Sequence, residues 1–169
     1  LPELEQYMLH KLYCIDKNFN KYFKQYNFHN LYKELLNFCT VDLSAFYFDI
    51  RKDTLYCDKL DSEKRKSTII FLNALLDILL KWFAPILSFT TEEIYSLIKK
   101  DEKSIHLENF PSIPEKWKNS NLDSKWLELI KIREVCNSSI EMKRATKEIG
   151  SSLEANLVIK LDSRLINLT

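Results

Sequence analysis

A single glycine, Gly150, in 169 residues is the feature that most restricts what this chain can fold into. Sheet-rich folds and nucleotide-binding folds need glycine at tight turns and at phosphate-binding loops, where the backbone takes conformations that other residues avoid. Hydrophobic residues make up 46% of the chain, which is enough for one domain with a core. We therefore expect a mostly helical protein that has no phosphate-binding loop for ATP.

Apolar residues recur at steps of three and four through most of the chain, which is the spacing of one helix face. The first predicted helix covers residues 4–23, and the second covers residues 31–46 with Asp42 on its mostly apolar face. The third covers residues 67–83 and follows Asp and Ser, two residue types that cap helices well.

The third predicted helix is close in length to a membrane span of about 20 residues. Its pattern argues against that interpretation, because Asn73, Asp77 and Lys81 stand four residues apart in one polar stripe. We expect Asp77 and Lys81 to pair on the central helix of a water-soluble bundle. Leu76 should then lie in the core, and Pro85 should end or kink the helix.

The sequence FTTEE predicts the start of a fourth helix that extends to about Lys100. Thr90 and Glu93 have the spacing of a capping box, in which each side chain bonds a backbone amide of the first turn. Phe89 and Ile94 have the spacing of a hydrophobic staple beside it.

The C-terminal third combines a fifth helix, at roughly residues 121–146, with a change of period. Arg133 falls on the apolar face of this helix, where a buried ion pair is the first interpretation and Asp42 is one candidate partner. Apolar and polar residues then alternate through residues 153–161, which predicts a strand. A lone strand leaves backbone groups unpaired, so we expect its partners beyond Thr169.

These elements predict an all-α fold: an antiparallel bundle of about five helices, followed by the start of a small C-terminal α/β appendage. We place the helical bundle at residues 1–148 and the start of a truncated junction domain at residues 149–169. The chain begins at Leu1 rather than at Met and shows no apolar signal segment, so we expect it to be part of a longer protein.

No catalytic residue and no metal site are predicted from the sequence. His10, His29 and His106 share no metal-ligand spacing with one another or with the four cysteines. The cysteines contain no C-x-x-C pair, and we interpret them as reduced thiols of a cytoplasmic protein.

Residues 49–58, DIRKDTLYCD, concentrate charge directly behind the apolar sequence LSAFYF. We expect a structural corner that ends the second helix, and direct contact with nucleic acid is the alternative. In such a corner acids pair with bases while two apolar side chains pack inward. The acids are Asp49, Asp53 and Asp58, the bases are Arg51 and Lys52, and the inward residues are Leu55 and Tyr56.

Basic residues gather in a few places, although the formal charge of the chain is only +1. Any nucleic-acid site must therefore be local. The clusters lie at residues 51–52, at residues 64–66 and along the fifth helix, where solvated helix faces are the alternative interpretation. Aromatic residues that could stack on an unpaired base are Tyr26, Phe28 and Trp82.

Residues 37–58 match a longer pattern, N-F-x-x-x-D-L-S-x-F-Y-x-D-I-x-K-D-R-L-Y, and so do LPELEQYMLHKL, FHNLY, APILSFTTEEIY, HLENFP and KEIGSSLEA elsewhere. With these motifs the chain resembles the anticodon-binding helical bundle of the isoleucyl-tRNA synthetases, a family of class I aminoacyl-tRNA synthetases. The valyl and leucyl families share the bundle but match the charged segment less well. Thr54, Lys66 and Ile69 depart from the family, which commonly has Arg, Arg and Gln there.

The resemblance implies a tRNA-binding fragment without chemistry of its own. It would bind the anticodon stem-loop of tRNA(Ile) and position it for ATP-dependent aminoacylation by a catalytic domain of the same chain. ATP, Mg and a C-terminal zinc are implied only for that parent, which we expect to be a cytoplasmic monomer without membrane contact. The alternative is a helical protein-interaction domain without RNA binding, or the equivalent valyl or leucyl domain.

We expect the RNA to lie along the exposed side of the fifth helix and to reach one end of the bundle near Tyr26, with residues 64–66 as the alternative site. The candidate tRNA-binding residues are Lys24, Tyr26, His29, Arg51, Lys52, Lys64, Arg65, Lys66, Arg133, Lys143, Arg144 and Lys147.

Overall fold

The computed structural model describes residues 1–99 and 103–166, and these residues form helices, turns and irregular segments without a strand. The predicted all-α class is therefore confirmed. The α-helices are α1 (Glu3–Lys24), α2 (Phe28–Asn37), α3 (Asp49–Tyr56), α4 (Glu63–Phe83), α5 (Ser88–Ile98), α6 (Ser120–Ala145) and α7 (Ser163–Ile166), with a π-helical segment at Phe38–Phe48 and 3-10 turns at Ile105–Leu107, Glu115–Trp117 and Ser152–Glu154.

The chain divides into two compact units, one at Leu1–Lys118 and one that starts at Asn119. The first unit holds α1 to α5 and the helical bundle. The second holds α6 and the segments after it. The division into a bundle at residues 1–148 and a junction domain at 149–169 stays a prediction.

Helix α1 follows the predicted apolar period closely. Leu4, Met8, Leu12, Ile15 and Phe19 are all buried, so one face of the helix lies in the core along almost its whole length. It packs against α2, which begins after a turn of only three residues. Such a short connection makes α1 and α2 antiparallel neighbours.

The second predicted helix is longer than expected, because α2, the π segment and α3 follow one another without a break. A π-helix closes i→i+5 bonds, so each of its turns holds more residues than an α turn. The buried positions therefore advance from Phe38 to Leu43 and then to Tyr47 and Arg51. The charged segment is helical, and the corner follows it.

Helix α4 starts at Glu63, four residues before the predicted bound and directly after the predicted cap residue Ser62, whose hydroxyl accepts from the Arg65 amide at 3.4 Å. It ends at Phe83, just before Pro85, and Lys81 pairs with Asp77 at 2.9 Å as expected. The helix is less covered than predicted. Leu76 is 38% exposed, so its predicted place in the core is wrong.

Helix α5 begins two residues before the predicted cap. Leu87 is the N-cap and makes no side-chain cap bond, so the capping box of Thr90 and Glu93 does not form. Phe89 consequently falls in the first turn and is almost fully exposed, which rules out the staple with Ile94. The tight turn after α4 accounts for the early start, because the Leu87 amide already bonds to the Phe83 carbonyl at 2.7 Å.

The crossing after α5 is irregular, as its two prolines predict, and polar side chains attach it to the bundle. The Ser104 hydroxyl and the Ile105 amide both donate to Glu92 Oε2, at 2.8 and 3.0 Å. The Tyr95 hydroxyl donates to Glu108 Oε1 at 3.2 Å. Ile105 is buried as a result.

Helix α6 extends from Ser120 to Ala145, within a residue of the predicted bounds. Beyond it, the predicted strand at residues 153–161 is wrong for the described chain. Residues 152–154 form a 3-10 turn, and residues 155–162 have no regular secondary structure. An alternating pattern alone makes no strand when no second strand is present to accept its backbone bonds.

Two side-chain contacts fix the direction of the helices in the first unit. Phe19 stacks on Trp82 near the end of α1, with ring centroids 5.6 Å apart, and Glu5 contacts Thr68 near its start. Helices α1 and α4 therefore run in the same direction. The α1–α2 turn, residues 24–29, and the corner between α3 and α4, residues 57–62, lie at opposite ends of the bundle. We call them the turn end and the corner end.

Candidate nucleic-acid interface

Arg51, a candidate for tRNA contact, lies in the core. Its Nε and Nη2 atoms donate to the two carboxylate oxygens of Glu5, each at 2.7 Å, and Arg51 is only 5% exposed. The Tyr47 hydroxyl donates to Glu5 Oε1 at 3.0 Å, and the Thr68 hydroxyl lies 3.4 Å from the same oxygen. Glu5 therefore joins four helical elements, and the Arg51 guanidinium is out of reach of a phosphate.

The Glu5 carboxylate also shifts the titration of its neighbours. Burial raises the pKa of Tyr47, and the negative charge and hydrogen bond of Glu5 raise it further. For Arg51, burial lowers the pKa, but the bonds and charge of Glu5 outweigh burial and raise it overall. Arg51 therefore keeps its charge, and Tyr47 keeps its proton above its ordinary pKa.

The contacts predicted for the rest of the charged segment form only in part. Lys52 pairs with Asp49 at 2.8 Å, as expected, but Tyr56 is 86% exposed rather than packed inward. The contact that joins the corner to α4 comes from Arg65, whose Nη1 donates to the Asp58 carbonyl at 3.1 Å.

The basic cluster at residues 64–66 belongs to this corner end. Arg65 is half-buried there, while Lys64 and Lys66 are exposed and Lys66 lies 3.5 Å from Glu63. Two of the three cations can thus meet an external phosphate.

At the turn end, α1 closes with a Schellman motif centred on Tyr26. The Asn27 amide donates to the Tyr22 carbonyl at 2.9 Å, and the Tyr26 amide donates to the Phe23 carbonyl at 3.1 Å. Tyr26 takes a φ of 55°, in the left-handed region, and is 80% exposed. The Asn27 side chain caps α2 by accepting from the Asn30 amide.

Two lysines and a histidine lie at this turn without carboxylate partners. Lys24 and His29 are exposed on either side of Tyr26. One turn further along α2 is Lys33, also exposed, which shares a helix face with His29. Within residues 1–99 and 103–166, Lys24, His29 and Lys33 have no acidic side chain within ion-pair distance.

An open groove of about 440 Å³ adjoins the same turn, between α1 and α2. Its lining contains four side chains with an amide or hydroxyl group that can donate and accept hydrogen bonds. The lining residues are Tyr22, Asn30, Lys33, Glu34, Leu36, Asn37 and Thr40.

Sequence reasoning named Phe28 and His29 but missed Tyr32 and Lys33 on the same surface. Phe28 and Tyr32 are both exposed and stand four residues apart on α2, as do His29 and Lys33. These i,i+4 spacings were the available signal. Trp82, by contrast, is fully buried, so its predicted role in stacking on a base is wrong.

The end of α6 presents the other predicted basic cluster, and its cations are already paired. Lys143 lies 2.6 Å from Glu148, and Arg144 lies 2.7 Å from Glu141. Hydrogen bonds from Lys143 and Thr146 lower the pKa of Glu148. A phosphate would have to displace these carboxylates.

Lys147 closes α6 with the same motif that Tyr26 forms at the end of α1. The Glu148 amide donates to the Lys143 carbonyl at 3.0 Å, and Lys147 has a φ of 58°. Its side chain is exposed. Of the remaining predicted residues, Arg133 is half-buried on α6, and Asp42 lies 3.1 Å from Lys11.

The described residues offer no site for the metal ions that the resemblance implies for a parent enzyme. No three His, Cys, Asp or Glu side chains of residues 1–99 and 103–166 lie close enough together to hold a metal ion. In the same residues, each helix is too short or too polar to cross a membrane.

Comparison with known proteins matches the sequence of this chain to a family. The family described as the anticodon-binding domain of tRNA ligase matches residues 5–159. An isoleucine–tRNA ligase of Pelagibacter ubique (strain HTCC1062) is 64% identical over 169 residues, which is 100% of this chain and 19% of that protein. The corresponding ligase of Agrobacterium fabrum is 46% identical over 98% of this chain, and that of Bartonella quintana is 39% identical over 98%.

The chain thus spans less than a fifth of the length of these curated relatives. The match confirms the resemblance drawn from residues 37–58 and from the shorter motifs. Since the family covers nearly all of the sequence, the chain belongs to the anticodon-binding domains of tRNA ligases.

Proposed function

We propose that this chain binds the anticodon stem-loop of an isoleucine tRNA and positions that tRNA for aminoacylation by the isoleucine–tRNA ligase of which it forms a part. ATP and Mg²⁺ would act in a catalytic domain elsewhere in that parent, and zinc would bind in its C-terminal region. The parent would be a monomer of the cytoplasm. The names of the three relatives support this assignment.

The observation that carries the proposal is the exposed turn end with its unpaired cations. The two cations are Lys24 and Lys33, which lie on either side of the turn and have no carboxylate partner among the described residues. Cations of this kind can neutralise phosphates and release their counterions without first breaking an ion pair. The adjoining groove supplies side-chain amides for groups of the sugar or the base.

The other candidate residues rank below this surface. Lys143 and Arg144 must leave Glu148 and Glu141 to reach RNA, although Lys147 beside them is free to do so. Lys52, Lys64 and Lys66 lie at or near the corner end and would form a separate site. Arg133 stays a candidate on α6. Arg51 and Arg65 hold the fold together, so we leave both out of the interface.

The test uses the parent ligase with Lys24→Ala and Lys33→Ala together. We expect the KM for tRNA in aminoacylation to rise, because phosphate contacts are lost. Isoleucine-dependent ATP–pyrophosphate exchange should stay unchanged, because that reaction needs no tRNA. Lys64→Ala with Lys66→Ala removes the same number of charges at the corner end and serves as the matched control.

Two results would contradict the proposal. An unchanged KM for tRNA in the Lys24→Ala/Lys33→Ala variant would remove the turn end from the interface. Phosphate contacts are strongest at low salt. If the chain itself shows no affinity for a stem-loop RNA even there, the alternative of a protein-interaction domain that binds through apolar helix faces is favoured.

A further inference from the structure

We propose that Tyr26 is the side chain on which an unpaired base of an RNA loop stacks. This inference rests on the proposed function and names the chemical group that the turn end recognises. Three features carry it: the backbone conformation of Tyr26, its link to the aromatic core, and the cations around it.

The first feature is a tyrosine at a position that favours glycine. In a Schellman motif the residue after the helix cap takes a left-handed conformation, which glycine adopts freely and a residue with a Cβ atom does not. Tyr26 takes it with a φ of 55°. Only Tyr26 and Lys147 do so among residues 1–99 and 103–166. Any side chain at such a position costs stability through its Cβ atom, and a residue other than glycine kept there favours a role outside folding.

Packing does not explain the tyrosine. Tyr26 is 80% exposed, so its ring contributes little to the core of the free chain. An exposed aromatic ring that is held at an energetic cost is more consistent with an external ligand.

The second feature is a continuous column of aromatic rings that ends at Tyr26. The column starts at the buried Trp82, and each distance joins the centroids of two successive rings. These distances are 5.6 Å from Trp82 to Phe19, 5.9 Å from Phe19 to Phe23, 5.9 Å from Phe23 to Phe28 and 6.2 Å from Phe28 to Tyr26. The last two contacts are edge-to-face, with interplanar angles of 80° and 79°. Phe28 thus supports one side of the exposed ring, and a supported ring loses less freedom when a base binds.

The third feature is charge. Lys24 lies two residues before Tyr26 and Lys33 seven residues after it, both are exposed, and no carboxylate pairs with them in the described chain. An aromatic platform within a set of free cations fits a single-stranded nucleic acid, whose bases stack while its phosphates bind the cations. A protein partner would need apolar or acidic groups in the same places.

The test measures two properties of four variants of the whole chain: affinity for an RNA stem-loop and for a blunt duplex of the same stem, and thermal stability. Tyr26→Phe keeps the ring, Tyr26→Ala removes it and keeps the backbone strain, and Tyr26→Gly removes both. Tyr56→Ala removes another highly exposed tyrosine, at the corner end, and is the control.

We expect Tyr26→Ala and Tyr26→Gly to weaken stem-loop binding equally, by roughly 5- to 100-fold, since one stacked base contributes that much. Duplex binding should not change in any variant. Tyr26→Phe and Tyr56→Ala should bind the stem-loop like the original chain. Tyr26→Gly should melt higher than Tyr26→Ala, by roughly 2–4 °C, because glycine relieves the left-handed strain.

The outcomes separate this inference from the proposed function. If the original chain binds the stem-loop and Tyr26→Ala binds it equally well, the stacking role is refuted while RNA binding stands. If affinity follows melting temperature, so that Tyr26→Gly binds and Tyr26→Ala does not, Tyr26 acts through the fold and the inference fails. If the original chain binds no stem-loop, the proposed function itself fails.

Discussion

Arg51 reaches from α3 into the core and donates two hydrogen bonds of 2.7 Å to the carboxylate of Glu5, forty-six residues earlier on α1. Both side chains are buried, so each charge depends on the other. The hydroxyls of Tyr47 and Thr68 contact the same Glu5 carboxylate. This set of contacts fixes how α1, the π segment, α3 and α4 meet.

Breaking this pair on one side should be costly. Arg51→Ala would leave the Glu5 carboxylate buried without its counter-charge, and we expect a loss of about 3–5 kcal/mol in the free energy of unfolding. Lys52→Ala, which removes the exposed cation next to it, should cost about 1 kcal/mol or less. Chemical denaturation measures both. Equal losses in the two variants would show that the Arg51 guanidinium is hydrated rather than buried.

Replacing both charges tests whether the pair stabilises the fold or only specifies it. Glu5→Leu with Arg51→Met removes the charges and keeps most of the volume, and such replacements of buried pairs are often neutral. We expect the double variant to recover most of the stability that Arg51→Ala loses. A double variant as unstable as Arg51→Ala would mean that the hydrogen bonds of Tyr47 and Thr68 to Glu5 dominate.

The raised pKa of Tyr47 makes stability depend on pH in the alkaline range. Unfolded tyrosine loses its proton near its ordinary pKa of 10.0, whereas burial and the Glu5 charge keep the proton on folded Tyr47. The folded state then binds more protons than the unfolded state, so stability present below pH 10 is lost as pH rises. We expect the free energy of unfolding to fall by up to roughly 1.4 kcal/mol per pH unit more than in Tyr47→Phe.

Denaturation curves from about pH 9 to about pH 11 measure this difference. All other ionisable groups are the same in both chains, so their contributions cancel in the comparison. Tyr56→Phe is the matched control, because Tyr56 is exposed. Parallel pH curves for the original chain and Tyr47→Phe would contradict the assigned coupling.

Two adjacent leucines of α4 test which face of that helix is buried. Leu75 is 3% exposed and Leu76 is 38% exposed. Leu75→Ala should therefore cost about 2–5 kcal/mol, as deletions in a close-packed core do. Leu76→Ala should cost clearly less, about 1 kcal/mol, because much of its surface is already in water. A larger loss for Leu76→Ala in denaturation experiments would reverse the assigned faces.

Local pattern predicted the helices of this fold well and their mutual contacts poorly. The period of α1 and the Asp77–Lys81 pair could be read from the sequence, because both depend on residues three or four apart. The burial of Arg51 could not, since it depends on the extra residue per turn in the π segment and on a partner forty-six positions away. No sequence pattern signals the π segment or the distant partner of Arg51.

The candidate interface shows the same limit. Lys24, Tyr26 and His29 were predicted together because they are neighbours in sequence. The left-handed conformation of Tyr26 was not predicted, because turns of this type normally reveal themselves by glycine. Nor could the pairing of Lys143 with Glu148 be foreseen, since it forms only when the chain turns back at Lys147.

The pairing state of the cations should decide which cluster binds phosphate. The chain offers three pairs for comparison: Lys24 with Lys33 at the turn end, Lys64 with Lys66 at the corner end, and Lys143 with Arg144 on α6. Each double substitution by alanine removes two charges, so the three variants are matched. Affinity for one stem-loop RNA is measured across a range of salt concentrations, and circular dichroism checks that each variant is folded.

We expect Lys24→Ala/Lys33→Ala to flatten the dependence of log affinity on log salt by between ~1.4 and ~1.8, because each phosphate contact contributes roughly 0.7 to 0.9. Lys143→Ala/Arg144→Ala should flatten it less, because these cations already neutralise Glu148 and Glu141 and must exchange one anion for another. Lys64→Ala/Lys66→Ala should leave the slope unchanged. If the α6 variant shows the largest effect instead, the RNA follows α6 as the sequence alone predicts, and free cations at the turn end are a solvated surface.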